Sequence, residues 1–511
     1  MNILSDRTAR AVLKYTYLFG LLAHGVALLN KFSWHDELQH GYKLSVARAV
    51  PLGRWLRAFL GNITSKLFGG YNLSLPLVYG VVSLFFIALS AYLIIKIFRI
   101  TEKPLQILLC GILVSFPVVT STFGYMFTAP YYFLALFLAV LAVYLLRERV
   151  SLGRCAISAG CICCSLGIYQ PYVAVALSLF VILMFFDILK GTYESFGAII
   201  KRGLCYVGTS VVGLIGYFAL WKLSMVILST SAANYQGMST IGQGGIGAYL
   251  EGIKRAYSSF FLNFNKSYED IYPMSLSIVQ WIVIILSILA GLWLVVKHFK
   301  KKKAEGILLL ALMLILPLCL NIIYVMSASS SDSKIHSLML YGQAMLYVFL
   351  ICAGRELYQD RKKITKAFFS VVISAVMLLC GMNIYLDNSC YLKGEVMQQQ
   401  TITELTVLVS RIKSTEGYND KMPVCFIMTG KRDATTAKNP QFTELAIMPY
   451  SNISPYHNQR NLLNYLEKWC GFSPKTVSDK KFKDLEEVKN MPDYPDDGDV
   501  RIIDGTVVIK W

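Results

Sequence analysis

Charge is scarce in this chain of 511 residues: Asp, Glu, Lys and Arg together make up 16% of it, against 55% hydrophobic residues. With a mean hydropathy of +0.51, that shortage excludes an ordinary soluble domain and points to a polytopic membrane protein. Histidine is rarer still, with six residues, and neither His nor carboxylate accompanies Cys161, Cys163 and Cys164 at ligand spacing. Those thiols therefore read as small apolar packing residues. A phosphate-binding glycine motif is also missing, which argues against a nucleotide site. The first apolar run follows Arg7 and Arg10 and lacks a small-residue cleavage site, so it is expected to stay as a span and not to be removed as a signal peptide.

What is abundant is apolar sequence in runs near the roughly 20 residues that cross a bilayer. They fall at about 11–30, 75–95, 104–122, 126–146, 155–169, 171–189, 203–221, 275–296, 307–326, 338–353 and 367–386, with 155–169 and 338–353 short and interrupted. The pattern predicts an all-α polytopic bundle of about eleven transmembrane helices. The N-terminus and the even-numbered loops carry 22 Lys and Arg, including Lys300 to Lys303 and Arg361 to Lys363, whereas the odd-numbered loops carry 10. By the positive-inside rule the first set is cytoplasmic, which places loop one (31–74), loop seven (231–274) and everything after residue 387 outside.

The formal charge of +18 is distributed in the same way. Residues 1–386 hold 33 basic and 14 acidic side chains, and the remainder 16 and 17. The excess is topological, with attraction to anionic membrane lipid as a by-product, and no nucleic-acid partner is expected.

After residue 387 apolar runs shorten and charge rises, which predicts a small extracytoplasmic α/β domain over 387–511. Residues 398–415 carry helical periodicity, "MPVCFIMTG" reads as a buried strand ending at Gly430, and "NQRNLLNYLEKWCGF" as a helix ending at Gly471. "VRIIDGTVVIKW" reads as a hairpin turning at Asp504-Gly505. Cys390, Cys425 and Cys470 form an odd set outside the spans; Cys425 with Cys470 is the favoured pair should a disulfide form, although spacing does not choose.

Loop one holds the most chemistry. It contains "WHDELQHGYKLSVARAVPLGRWLRAFLGN", in which Leu44, Val46, Ala47, Val50, Leu52, Trp55, Leu56, Phe59 and Leu60 form an apolar face and Lys43, Arg48, Arg54 and Arg57 lie largely opposite. This predicts one or two interfacial helices broken at Pro51 and Gly53, with the indole at headgroup level. A lipid-linked sugar phosphate presents its glycosidic bond at that height. Arginine can grip the phosphate through two hydrogen bonds while the adjacent carboxylates, Asp36 and Glu37, take a proton from an acceptor hydroxyl. The same cations would stabilise the negative charge developing on the departing phosphate.

"HDELQHGY" followed by "GRWL" resembles the first-loop motif of the serotype-converting, type-II glucosyltransferases that modify bacterial O-antigen and related surface polysaccharides. "GIYQPY" at 167–172 is similar to a second motif of that family, and "MPDYPDDGDVRIIDGTVVIKW" to its characteristic ending. The resemblance implies a GT-C bundle in the bacterial inner membrane that transfers a hexose, typically glucose, from a polyprenyl phosphate carrier to a polysaccharide or lipid-linked glycan. It further implies that Asp36 or Glu37 is the general base, with Asp36 favoured and Glu37 orienting the acceptor or assisting. No metal or other cofactor is expected, because a polyprenyl phosphate donor carries no diphosphate to neutralise.

Weaker candidates for substrate contact are His35 beside the acidic pair, Trp55 in the interfacial segment, and Tyr169 and Gln170 at the outer end of a span. Lys254 and Arg255 in loop seven, and Lys334 and His336 in loop nine, complete the set. His24 reads as a histidine hydrogen-bonded within the bundle. The rival reading is a flippase or exporter of lipid-linked sugar; it fits poorly with nearly uncharged span centres and the lack of an internal repeat. A glycan polymerase or ligase is a further alternative, separable by substrate alone.

Overall fold

The computed structural model describes residues 6–40, 46–69, 73–233, 244–267, 270–328, 334–429, 445–448 and 459–511. The chain is mainly helical. It opens with α1 (Arg7–Leu29), the short α2 (His35–His40) and α3 (Val46–Ala49), and α4 (Trp55–Leu67). Then follow α5 (Pro76–Phe98), α6 (Lys103–Val114), α7 (Pro117–Phe123), α8 (Ala129–Arg147), α9 (Leu152–Ile168), α10 (Val173–Leu189) and α11 (Phe196–Ile227). The bundle is completed by α12 (Ile246–Leu262), α13 (Met274–Phe299), α14 (Lys303–Leu320), α15 (Ile323–Met326) and α16 (Met345–Tyr358), before the very long α17 (Lys363–Ser414). A C-terminal region adds β1 (Val424–Ile427), α18 (Gln459–Cys470), α19 (Glu486–Lys489), β2 (Val500–Ile503) and β3 (Thr506–Lys510).

Local chemistry sets these boundaries. Asp6 caps α1 by accepting from the Thr8 amide, and Ser151 and Ser195 cap α9 and α11 in the same way. Proline stands in the first turn of α5, α6, α7 and α8, where its missing N–H costs nothing.

Among the described residues, eight helices are long and apolar enough to cross a membrane, and the count is nine if the pair α6 and α7, bent by 43°, is one broken span. The eight coincide with eight of the eleven runs expected from sequence. The run at 104–122 breaks at Ser115–Phe116, ahead of Pro117. The remaining two fall short: α9 has 17 residues, and the 338–353 run begins as 3-10 turns before the 14-residue α16. Periodicity marks apolar sequence without showing whether it continues in one straight helix.

α17 also departs from expectation. The helix foreseen at 398–415 is the distal end of one 52-residue helix that passes through residue 387 without a break. At 1.5 Å per residue it is about 78 Å long, more than twice a hydrocarbon core. Its distal half supplies Leu405, Leu408 and Ile412 to a second apolar core shared with β1, β3 and α18. There the sheet has the order β1–β3–β2, with β1 parallel and β2 antiparallel to β3. Asp504 (φ 46°) and Gly505 (φ 67°) make the foreseen hairpin turn, since left-handed backbone at both centres suits the strand twist. Cys425 and Cys470 are both free thiols. Strand alternation turns Cys425 away from Val424 and Phe426, into a separate cluster with Phe482 and Val508, whereas Cys470 lies against the α18 side.

Candidate active site

Asp36 and Glu37 lie in the first turn of α2, where the helix dipole favours carboxylates. Two successive helical positions diverge by about 100°, and the two side chains meet different surroundings. Glu37 is buried, 1% exposed, in an ion pair with Lys31, and its other oxygen accepts from the Phe127 amide at 3.3 Å. Asp36 is half-buried and close enough to Arg57 to favour the charged guanidinium.

Two of the loop-one arginines, Arg54 and Arg57, point inward. The sequence pattern placed Arg54 and Arg57 opposite the apolar face, but Arg57 is only 6% exposed, with its guanidinium 5.5 Å from the Phe127 ring centroid. Burial pushes its pKa below the ordinary guanidinium value; the hydroxyl-bearing Tyr132 and Tyr131 and the carboxylate of Asp36 act in the other direction. Its Nε carries no hydrogen bond. Arg54 donates from Nη1 to the Tyr132 hydroxyl at 3.1 Å and lies 4.9 Å from the centroid of Tyr169, which stacks on Tyr132 at 3.9 Å. Meanwhile Phe59, Ile63 and Leu67 of α4 are exposed. The physical reason is that aromatic faces on α8 and beside α9 accept desolvated guanidinium groups, whereas the exposed apolar stripe suits hydrocarbon.

Loop one is pinned to the bundle from several sides. Gln170 donates from Nε2 to the Leu52 carbonyl at 2.8 Å and to the Tyr217 hydroxyl at 3.1 Å. The Trp221 indole donates to the Val50 carbonyl at 2.7 Å. Trp55 packs so closely on Gly167 that a Cβ there would lie 2.5 Å from its ring. The foreseen break appears as the turn Pro51–Gly53, with Gly53 at φ 74° between α3 and α4.

Asp36, Glu37, Arg54, Trp55, Arg57, Tyr169 and Gln170 thus share one end of the bundle. The remaining candidates lie on other elements. Arg48 is exposed on α3, Lys254 pairs with Glu251 on an exposed face of α12, and Arg255 lies over the Tyr324 ring at 5.6 Å. His336 precedes the 3-10 turn Ser337–Met339, with Lys334 exposed just before it. The expectation for Lys43 lies outside the described residues, as does the side chain of His35. His24 is fully buried, with Nε2 2.8 Å from the Val114 carbonyl and Nδ1 2.8 Å from the Tyr391 hydroxyl, a histidine bonded within the bundle as foreseen.

Sequence reasoning missed Lys31, Tyr131 and Tyr132. Lys31 reads as a span-flanking cation, and the two tyrosines as part of an apolar run; only the fold brings them to the carboxylates and guanidinium groups.

This is the arrangement of a multi-pass helical membrane protein with a charged, aromatic-lined site on its first loop. The family model for the glucosyl transferase GtrII matches residues 25–349, and the chain belongs to that glucosyltransferase family. It is accordingly a glycosyltransferase by family, acting on a sugar donor and a glycan acceptor. No curated protein and no solved structure matches the chain significantly.

Proposed function

We propose that the protein transfers glucose from a polyprenyl phosphate carrier to a surface polysaccharide such as O-antigen, with inversion, on the outer face of the bacterial inner membrane. The observation that carries this reading is the separation of the two carboxylates. Glu37 is committed to Lys31 and a backbone amide, whereas Asp36 is half-buried and within electrostatic reach of the Arg57 guanidinium. In the proposed reaction Asp36 takes the acceptor hydroxyl proton as the oxygen bonds the anomeric carbon. The bond from that carbon to the phosphate oxygen breaks, and its electron pair leaves with the polyprenyl phosphate, beside Arg57 and Arg54. The region after residue 387 would present the acceptor.

An apolar groove supports a lipid-linked donor. Leu177 and Val181 of α10, Leu204 and Val207 of α11 and Leu312 and Ile315 of α14 line a cavity of about 370 Å³. Farther along α11, Tyr217 bonds Gln170 and Trp221 bonds loop one. An isoprenoid chain laid there would lead its phosphate toward Arg54.

The test is hexose transfer by purified protein in vesicles, from synthetic polyprenyl phosphate glucose to glycan. Asp36→Asn is expected to lower kcat by about 10²–10⁴-fold at unchanged folded amount. Transfer retained by that variant removes Asp36 from the mechanism, and lipid-sugar movement without transfer by wild type would favour a flippase.

A further inference from the structure

The segment that carries the acidic pair is gripped by residues some 360 or more positions away. Ser33 and Leu38 bracket Asp36 and Glu37, and both are held by the C-terminal helices. The Ser33 amide donates to Gln398 Oε1 at 2.7 Å, and Gln398 Nε2 donates in turn to the Lys31 carbonyl at 2.9 Å. The Tyr465 hydroxyl donates to the Ser33 carbonyl at 2.7 Å, and the Lys468 ammonium donates to the Leu38 carbonyl. Leu38 itself is fully buried, in the apolar core that Leu405 and Leu408 of α17 share with Leu462 and Leu466 of α18. Trp34 packs against Met397 in the same manner.

Four backbone groups of a ten-residue segment are therefore fixed by three side chains of α17 and α18, and one of its side chains belongs to the C-terminal core. α17 is continuous from the membrane bundle to that core, so Gln398 sits on a helix that also packs in the bundle.

We propose that Gln398, Tyr465 and Lys468 are positioning residues that set the register of the α2 turn, so that docking of α18 on loop one places Asp36 for proton transfer. The inference rests on the assignment of Asp36 as base. A misplacement of about 1 Å at such a group costs on the order of 10²-fold in rate, so loss of one bond from this grip is expected to lower kcat about tenfold or more with the donor KM unchanged.

Two readouts on the full-length protein in lipid nanodiscs test it. Hydrogen exchange is compared in wild type, Tyr465→Phe and Gln398→Leu: faster exchange over 31–40, with α5, α8 and α10 unchanged, is expected, and unchanged exchange over 31–40 overturns the grip. Transfer rates are then placed in a double-mutant cycle with Asp36→Asn. Tyr465→Phe is expected to cost about tenfold in the wild-type background and nothing beside Asp36→Asn, because a positioning residue has nothing left to position. Equal losses in both backgrounds would show a general structural role and refute the proposal. Absence of transfer by wild type would instead sink the assignment of activity, with the exchange data still reporting on the grip.

Discussion

Lys31→Met should be among the most damaging single changes in loop one, although Lys31 touches no substrate in the proposed reaction. It leaves the Glu37 carboxylate, 1% exposed, with the Phe127 amide at 3.3 Å as its recorded hydrogen-bond donor. Removing one partner of a fully buried ion pair costs about 3–5 kcal/mol. Lys31 is 24% exposed, so water already screens part of the attraction, and a loss discounted below that scale, about 2–3 kcal/mol, is expected. Glu37→Gln should be milder, because the amide oxygen still accepts from Phe127 and the remaining ammonium can turn to solvent. The Lys31→Met, Glu37→Gln pair should then be more stable than Lys31→Met alone, since no uncompensated charge is left inside. The assay is unfolding in mixed detergent micelles at constant lipid, with all four corners of the cycle measured, and coupling of at least about 1 kcal/mol is expected. A Lys31→Met variant as stable as wild type, or a double variant showing the plain sum of the single losses, would refute the argument. Activity adds a second contrast: Glu37→Gln should keep far more transfer than Asp36→Asn.

Three further outcomes follow from the same geometry. Arg57→Lys keeps the charge but gives up the flat contact on Phe127, and transfer should fall by about tenfold or more, measured as kcat with a fixed donor. Gly167→Ala drives a Cβ to within 2.5 Å of the Trp55 ring and should cost about 1–3 kcal/mol while displacing α4, read as lowered stability together with lost transfer. Burial raises the carboxyl of Asp270 to about 6, against the hydrogen bonds it accepts from the Ser267 and Met448 amides. A carboxyl raised in the folded state contributes stability below its unfolded pKa near 4, and that contribution is lost as pH rises through about 6. Stability should therefore decline between about pH 4 and 6 in wild type, and Asp270→Asn should flatten that slope; an equal slope in both would count against the assignment.

Legibility in the sequence followed the range of the interaction. The eight long spans, the break at Pro51–Gly53, the Asp504-Gly505 hairpin and the end of α18 before Gly471 each depend on residues within a few positions of one another, and each was readable. The inward turn of Arg57 was not, because the helix pattern of α4 cannot tell an arginine facing water from one facing Phe127 and Tyr132 across the bundle. The apolar residues were seen, and the choice of which face meets the bundle was not.

Leu38 makes the same point with more consequence for function. In "HDELQHGY" it reads as the apolar residue of a polar turn, yet it is a core residue of a region that begins more than 350 positions later. Its burial, like the reach of Tyr465 to Ser33 and of Gln398 to Lys31, joins the chain's two ends. A composition boundary drawn at residue 387 separates what this contact unites. The C-terminal core buries a residue next to Glu37, so the stability of that core and the geometry of the acidic pair are linked quantities. Leu38→Ala removes side-chain volume from a site with no exposure and should cost about 2–5 kcal/mol in the C-terminal region. If that core held loop one only passively, transfer per folded molecule would be unchanged; the expected result is a fall in both, with the loss in kcat outlasting any recovery of folded protein at low temperature.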